Sequence, residues 1–517
     1  MCVKMVYLSS RVLKRIVRSP LKKKIENHLK SHCEFVDQIY FTDRSRSSFD
    51  LLHFNIMSET ERLTSGNERC QVEYLEIPIK SENDKKEYRV IKLQNGLIAL
   101  LIADTYSKTC TLQDEDNEDK TSSENETEDD ESNEEDGEEN YDDEDEDEDD
   151  ISDIYDEESN SSALKRVKRN EKKAACGLCV GVGSFSDPPE IPGMAHFLEH
   201  MVFMGSEKYP QENDFDAYIS KRGGFTNAST DCEHTTFYFD IQEKHLLSTL
   251  DRFAQFFIKP LMKKEAITRE REAIESEFQL ALPNDENRKE QLFSSFAQTG
   301  HPASKFVWGN LVTLRDNVHD DKLYEELHKF RERHYSAHRM RLAVQARLPL
   351  DTLEKYVTMC FADVPNNGLP PSNFIEFKGG VSFDTPAFRK IYKVKPFKDV
   401  SQLEITWTMP SQRDFYKSKP HQYISWIIGH EGKGSLISYL RKKMWSLDIT
   451  SGNSESDFEH NSMYALWKLN LILSYEGHQH LEEVLDAIFS YINLLKKEGP
   501  QKRIYDEIYK IEENKFR

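Results

Sequence analysis

The sequence lacks a disulfide framework and any long apolar run. Its eight cysteines are scattered without regular spacing, which favours reduced thiols in an intracellular compartment. Cys176 and Cys179 form a C-x-x-C pair, but no second pair or nearby histidine completes a zinc knuckle. No stretch reaches the roughly 18 to 20 apolar residues that span a bilayer. We therefore expect a soluble, cytoplasmic protein with no membrane span.

Positive charge is almost absent between residues 114 and 158. This segment holds 29 Asp and Glu residues against Lys120 alone. The whole chain has a formal net charge of -23, so the residues outside the segment carry a net charge of +5. Because like charges repel and offer little to bury, residues 108–165 are predicted to be a disordered insertion exposed to solvent. Its charge would attract basic peptides and proteins rather than nucleic acid.

Acidic residues are nearly absent from the first thirty positions, which carry nine Lys and Arg residues. This composition is typical of a mitochondrial transit peptide and equally of a solvated basic leader, so a mitochondrial location stays open. Residues 1–85 as a whole show no sustained periodicity. They are predicted to be a basic leader that is largely disordered.

Folded structure is predicted from residue 86 onward, in two domains. Residues 86–368, which contain the acidic insertion, form the first, and a turn-rich stretch separates them from the second, residues 369–517. Residues 88–104 alternate and turn at an Asn-Gly pair, which predicts a β-hairpin. The insertion after it is predicted to join two strands of one sheet at the sheet's edge. The mixed order of strands and helices favours an α+β fold, and the chain ends within a helical pattern that suggests a longer protein.

A candidate metal-binding motif lies in an apolar segment that is predicted to be a helix. His196 and His200 are four residues apart, so both rings can reach one metal ion from the same helix face. Glu199 completes an H-x-x-E-H pattern and can reach a metal-bound water. The alternative is that these residues only decorate a buried helix, because a five-residue pattern also arises by chance.

The third ligand must come from elsewhere, because a catalytic zinc needs three protein ligands and one open position. The acid-rich helix at residues 269–277 is the source that we predict. Its Glu270 and Glu277 are seven residues apart on one face, so one could bind the metal while the other orients a ligating histidine. In such a site zinc lowers the pKa of its water to about 7, Glu199 takes the proton, and the hydroxide attacks a peptide carbonyl.

The sequence around this motif resembles a known family. The run GMAHFLEHMVFMGSEKYPQENDFDAYISKRGGFTNASTDCEHTTFYFDIQ, followed by LDRFAQFFIKPLM, is similar to the catalytic segment of the insulysin and nardilysin group of M16 zinc metallopeptidases. The resemblance covers residues 88–517. It implies two similar α+β domains, each a mostly antiparallel sheet layered with helices, of which the second is inactive and binds substrate. It also implies one zinc ion per chain, with Glu277 as the third ligand and Glu270 as the residue that orients a ligand.

Three further features bear on the substrate. An acidic insertion before the catalytic helix marks the nardilysin branch of the group, so the resemblance implies cleavage on the N-terminal side of Arg in dibasic sites. Asn227 and Ala228 match the edge strand that holds extended substrates in this family. His430 matches a loop beside the family's exosite.

The chain is short for this family. Full-length members have four domains in two halves that enclose a chamber, so the resemblance implies that a missing C-terminal half takes part in activity. Three alternatives stay open: an insulysin-like enzyme of broader specificity, a mitochondrial processing peptidase, and a catalytically incomplete half that binds basic partners. The enzyme is the favoured prediction, because every His and Glu position of the motif is present.

Overall fold

The computed structural model describes residues 2–7, 72–104, 172–372, 374–377, 382–454 and 456–516. In chain order, its strands are β1 (Cys2–Tyr7), β2 (Glu73–Leu75), β3 (Glu87–Lys92), β4 (Ile98–Ala103), β5 (Lys173–Val180), β6 (Phe225–Thr230), β7 (Thr235–Gln242), β8 (Met340–Ala346), β9 (Ile391–Val394), β10 (Gln402–Pro410), β11 (Ser446–Gly452) and β12 (Tyr464–Leu473). Its α-helices are α1 (Met194–Val202), α2 (Asp214–Ser220), α3 (Leu246–Ile258), α4 (Ile267–Ala281), α5 (Asp285–Ser294), α6 (Asp320–His334), α7 (Leu350–Phe361), α8 (Pro420–Ile428), α9 (Leu436–Lys442), α10 (Tyr475–Gln479), α11 (Leu481–Glu498) and α12 (Lys502–Phe516).

The strands form two sheets, each covered by helices. The first has seven strands in the order β2-β3-β4-β8-β5-β7-β6, and the second has five in the order β11-β12-β10-β1-β9. Most neighbouring strands are antiparallel; the parallel pairs are β4 with β8 and β1 with β9. The α+β prediction is therefore confirmed, with a mostly antiparallel sheet in each domain.

The core of the first domain forms where α3 packs on the sheet. Leu250, Phe253, Ala254 and Phe257 are buried and recur at the i, i+3, i+4, i+7 spacing of one helix face. Phe237 of β7 meets the Phe257 ring edge to face, with ring centroids 5.4 Å apart. The aromatic packing between α3 and β7 supports the part of the sheet next to β6.

The predicted hairpin is confirmed, and the predicted position of the acidic insertion is wrong. β3 and β4 pair antiparallel, and Gly96 between them has a φ of 89°. The insertion, which itself lies outside the described residues, does connect two strands of one sheet, β4 and β5. Both strands are interior, however, because β8 lies between them. This pairing joins residues about 160 to 240 positions apart along the chain, which local patterns do not reveal.

The region predicted as a basic leader contributes strands to both sheets. β1 pairs antiparallel with β10 and parallel with β9, and β2 pairs with β3. Residues 8–71, which include most of the basic positions, lie outside the described part of the chain. Disorder of the leader there stays a prediction.

The two domains share a buried contact surface. Phe293 of α5 belongs to the same apolar cluster as Phe383 and Tyr464 of the second domain. Beside the cluster, the buried Lys289 side chain donates to Glu404 of β10 at 3.0 Å. Within the described ranges, no helix has the length and apolar character needed to cross a bilayer.

Candidate metal centre

Helix α1 carries the H-x-x-E-H motif and is anchored at its first turn. The buried Asp187 side chain accepts hydrogen bonds from the backbone N–H of Gly193 at 2.7 Å and of Ala195 at 2.9 Å. These are two of the N–H groups that a helix cannot satisfy internally. Helix α1 packs against α4, α6, β6 and β7, so the motif lies between the sheet and the acid-rich helix.

Three side chains converge on one point. The Nε2 atom of His196 lies 3.3 Å from Oε2 of Glu277, and Nε2 of His200 lies 3.5 Å from Oε1 of the same carboxylate. Ligand atoms of these three residues all lie within 4.8 Å of one another. Two imidazole nitrogens and one carboxylate make up a donor set that catalytic zinc uses, so the residues fit the ion that the resemblance implies.

The other ring nitrogens of both histidines face away from Glu277. Nδ1 of His196 lies 2.7 Å from the carbonyl oxygen of Trp308, and Nδ1 of His200 lies 3.4 Å from Oε2 of Glu270. Such partners hold a proton on Nδ1 and leave the Nε2 lone pair available for a metal. Arg269 donates to the other oxygen of Glu270 at 3.1 Å. The geometry thus separates the two acids: Glu277 faces both Nε2 atoms, and Glu270 lies behind His200.

The electrostatics of this cluster favour a bound cation. Hydrogen bonds from His196 and His200 lower the pKa of Glu277 to about 2. Burial alone would lower the pKa of His200, but the carboxylates of Glu270 and Glu277 raise it to about 9. The cluster attracts positive charge, whether a proton or a metal ion supplies it.

Glu199 is more deeply buried than the two histidines on the same helix. Its side chain is buried, and the hydroxyl of Thr230, the last residue of β6, donates to Oε2 at 2.5 Å. Burial raises the pKa of Glu199, and the neighbouring histidines and Thr230 oppose that rise. A raised pKa makes the carboxylate a stronger proton acceptor, as general-base catalysis requires.

The centre opens into a cleft of about 580 Å³. Six carboxylate residues and no Lys or Arg line it, as far as the described residues show. Asn227 and Ala228 also line the cleft, on β6, which is the last strand of the seven-stranded sheet. The Ala228 N–H donates to the side-chain oxygen of Asn227 at 2.8 Å. The structure therefore brings this edge strand and the candidate metal ligands together.

Two family models match the sequence. One describes the insulinase family, peptidase family M16, and matches residues 164–306. The other describes the peptidase M16 inactive domain and matches residues 322–511. The chain belongs to peptidase family M16.

This M16 chain is similar to nardilysin from Rattus norvegicus, with 51% identity over 466 residues, covering 85% of the chain and 40% of the relative. It is 39% identical over 337 residues to insulin-degrading enzyme from Mus musculus, covering 65% of the chain and 32% of the relative. Among solved structures it is similar to pitrilysin, with a TM-score of 0.69, 26% identity and coverage of 87% of this chain and 40% of that one. The chain thus spans about 40% of the length of the rat nardilysin that it matches.

Some predicted residues of the M16 chain lie away from the cleft. His430 is exposed in the loop between α8 and α9 and is not among the residues that line it, so its substrate role stays a prediction. Cys176 is buried in β5 and Cys179 is half-buried. Three positions apart on a strand, they point to opposite faces of the sheet, which agrees with the interpretation that they do not form a metal site.

Sequence reasoning missed several residues at this site. Thr230 lay in the quoted family run, but its contact with Glu199 depends on how β6 passes α1. Trp308 acts through its backbone carbonyl, which has no signature in a sequence. Asp187 precedes the helix by seven residues, too far for an ordinary N-cap pattern.

Proposed function

We propose that this chain provides the metal site of a zinc-dependent endopeptidase that cleaves basic peptides on the N-terminal side of Arg in dibasic sites. The observation that carries the proposal is the convergence of His196, His200 and Glu277 beside the buried Glu199. Membership of peptidase family M16 supports the reaction class, and the likeness to nardilysin supports the dibasic preference.

Each residue has a role that its contacts support. When bound, zinc would polarise the scissile carbonyl and acidify a water molecule. Glu199 would accept the proton of that water and later pass it to the leaving amine, while Thr230 holds one of its oxygens. The edge strand β6 would pair with the backbone of an extended peptide and lay the scissile bond beside Glu199.

The charge of the cleft supports basic substrates. Asp216, Asp231 and Glu290 line it in addition to the acids of the metal centre. Burial raises the pKa of Glu290 to about 7, and Asp231 and Glu459 add to the rise. A substrate guanidinium beside Glu290 would relieve the repulsion between these carboxylates. The acidic insertion would attract the same peptides from a distance, in a manner that weakens as salt is added.

A second candidate function is that of a binding protein. The chain spans only about 40% of the rat nardilysin that it matches, and we propose that a C-terminal half is a partner for turnover. Without that partner, the same acidic surfaces would hold basic peptides that are not cleaved. An enzyme of broader specificity is a further alternative, which the similarity to insulin-degrading enzyme suggests. The test below distinguishes it from an enzyme that prefers dibasic sites.

The test compares this chain with Glu199→Gln. Zinc content is measured together with hydrolysis of a dibasic peptide and of a matched peptide in which both basic residues are Gln. One zinc per chain, with cleavage of the dibasic peptide that disappears in the variant, supports the proposal. Equal cleavage of both peptides contradicts the dibasic preference, and zinc with peptide binding but no cleavage favours the binding protein.

A further inference from the structure

The turn between β6 and β7 is held by the second domain. This turn follows Thr230 directly, and Thr230 holds the carboxylate of Glu199. It meets a loop of the second domain that precedes β12. We call the contact the interdomain clamp and define it by Glu233 and His234 of the turn and by Arg413, Asp457 and Ser462 of the second domain.

Asp457 binds the turn through three hydrogen bonds. Its Oδ2 atom accepts from the backbone N–H of Glu233 at 3.0 Å and lies 2.5 Å from Nδ1 of His234. Its own backbone N–H donates to the side chain of Asp231 at 3.2 Å. The second-domain residue therefore holds the turn by its backbone as well as by its side chains.

Glu233 returns the contact from the first domain. Its carboxylate accepts from the N–H and the hydroxyl of Ser462, at 3.1 and 2.5 Å. One guanidinium nitrogen of Arg413 lies 2.6 Å from Glu233, and the other donates to Asp457 at 3.1 Å. The two carboxylate side chains are only 10% and 9% exposed. Two nearly buried acids would repel each other, and Arg413 between them offsets that repulsion together with His234 beside Asp457.

The strand that this clamp supports is β6, the edge strand that packs against α1 and α2. β6 pairs with β7 alone among the described strands, and its outer edge faces the cleft. An edge strand is paired along one side only, so contacts at its end help to fix its position. On the first-domain side, the turn is held by backbone hydrogen bonds from Ser184 and Phe185 to Asp231 and Cys232. The tip of the hairpin is therefore fixed between two domains.

We infer that Arg413 and Asp457 are positioning residues through which the second domain fixes Thr230, and with it Glu199 and the edge strand. The clamp itself follows from contacts between the domains, whereas its effect on turnover rests on the proposed peptidase function. Because a displacement of about 1 Å at a reacting group can cost about 100-fold in rate, small shifts of β6 matter for catalysis. The second domain would thus contribute to the active centre through the position of β6.

The test uses Arg413→Met, which removes the cation that lies between Glu233 and Asp457, and Arg413→Lys, which keeps one charge. Arg503→Met is the matched control, since Arg503 makes an exposed ion pair with Glu507 on α12. Amide hydrogen exchange is followed over residues 225–235 and over α1. Zinc affinity, kcat and KM for the dibasic peptide are measured on the same proteins.

In Arg413→Met, we expect exchange over residues 225–235 to accelerate by about tenfold or more, as the loss of charge-assisted hydrogen bonds implies. Zinc affinity should be unchanged and kcat should fall about tenfold, with partial recovery in Arg413→Lys and no effect in Arg503→Met. Ser462→Ala leaves no charge unpaired and serves as the second variant if Arg413→Met folds poorly. It should show a smaller acceleration of exchange over residues 225–235 and a smaller fall in kcat.

Unchanged exchange over residues 225–235 in Arg413→Met and Ser462→Ala would overturn the clamp. Faster exchange with an unaltered kcat would overturn the positioning role. If the parent chain cleaves nothing, the proposed function fails separately, and the exchange comparison still decides whether the clamp exists.

Discussion

Replacing Gly193 by Ala perturbs the start of the helix that carries the H-x-x-E-H motif, at a point where the neighbouring atoms are backbone. Gly193 has a φ of 94°, in the left-handed region that costs a side-chain-bearing residue about 1–2 kcal/mol. A Cβ atom there would lie 2.3 Å from Cα of Gly309, which is backbone. Overpacking of this kind costs about 1–3 kcal/mol. We therefore expect Gly193→Ala to lower the free energy of unfolding by about 2–5 kcal/mol.

The same substitution should weaken the metal site. Gly309 follows Trp308, whose carbonyl oxygen lies 2.7 Å from Nδ1 of His196. Pushing Gly309 away from the helix moves that carbonyl and frees the His196 ring to turn. Loss of such an orienting partner typically reduces metal affinity 10- to 100-fold.

Gly300→Ala separates the two contributions. Gly300 also has a positive φ, 81°, but nothing lies within 4 Å of the Cβ position. Gly300→Ala should lower the free energy of unfolding by only about 1–2 kcal/mol and leave the zinc affinity unchanged. Urea unfolding of the zinc-free proteins and chelator competition for zinc measure both quantities. Equal destabilisation of the two variants, or full zinc affinity in Gly193→Ala, would contradict the close contact between Gly193 and Gly309 as the cause.

Three further predictions concern the site and the clamp. Glu270→Gln should reduce zinc affinity about 10- to 100-fold in chelator competition, because Glu270 contacts Nδ1 of His200 and would orient its ring. Glu275→Gln on the same helix should leave zinc affinity unchanged. Equal loss in both variants would contradict this role of Glu270. The hydrogen bond to Asp457 raises the pKa of His234 against the effects of burial and Arg413, with Glu233 adding to the rise. The stabilisation that His234 contributes is therefore fully present below about pH 6.5 and is lost as the pH rises through its folded-state pKa. His234→Gln should flatten this part of the profile of unfolding free energy against pH. An unchanged profile would contradict this role of His234. Glu290→Gln should weaken binding of the dibasic peptide and reduce the salt dependence of that binding. Titration calorimetry at low and high salt measures both quantities. An unchanged salt dependence would argue against a basic substrate side chain beside Glu290.

Local spacing predicts which residues of the candidate site share a helix face. The four-residue interval between His196 and His200 places both rings on one helix face, and the seven-residue interval does the same for Glu270 and Glu277. Spacing alone could not decide which acid meets the metal. That depends on how α4 lies along α1, and the distances from Glu277 to both Nε2 atoms favour this acid as the ligand.

Other parts of the fold depend on contacts that are distant in sequence. The hairpin at Gly96 follows from a local turn, but the position of β8 between β4 and β5 does not. A sequence pattern therefore does not reveal that the strands flanking the acidic insertion are interior. The clamp joins Glu233 to Ser462, more than two hundred residues apart. Its charged residues look like ordinary surface positions until the two domains are packed together.

The metal centre is tested by measuring the zinc content of the purified chain and of His200→Ala. We expect one zinc per chain in the parent, removed by a chelator and restored by added zinc, and none in His200→Ala, with circular dichroism showing that the variant is still folded. A parent chain that binds no zinc, or a folded His200→Ala variant that retains a full equivalent, would contradict a metal centre at His196, His200 and Glu277.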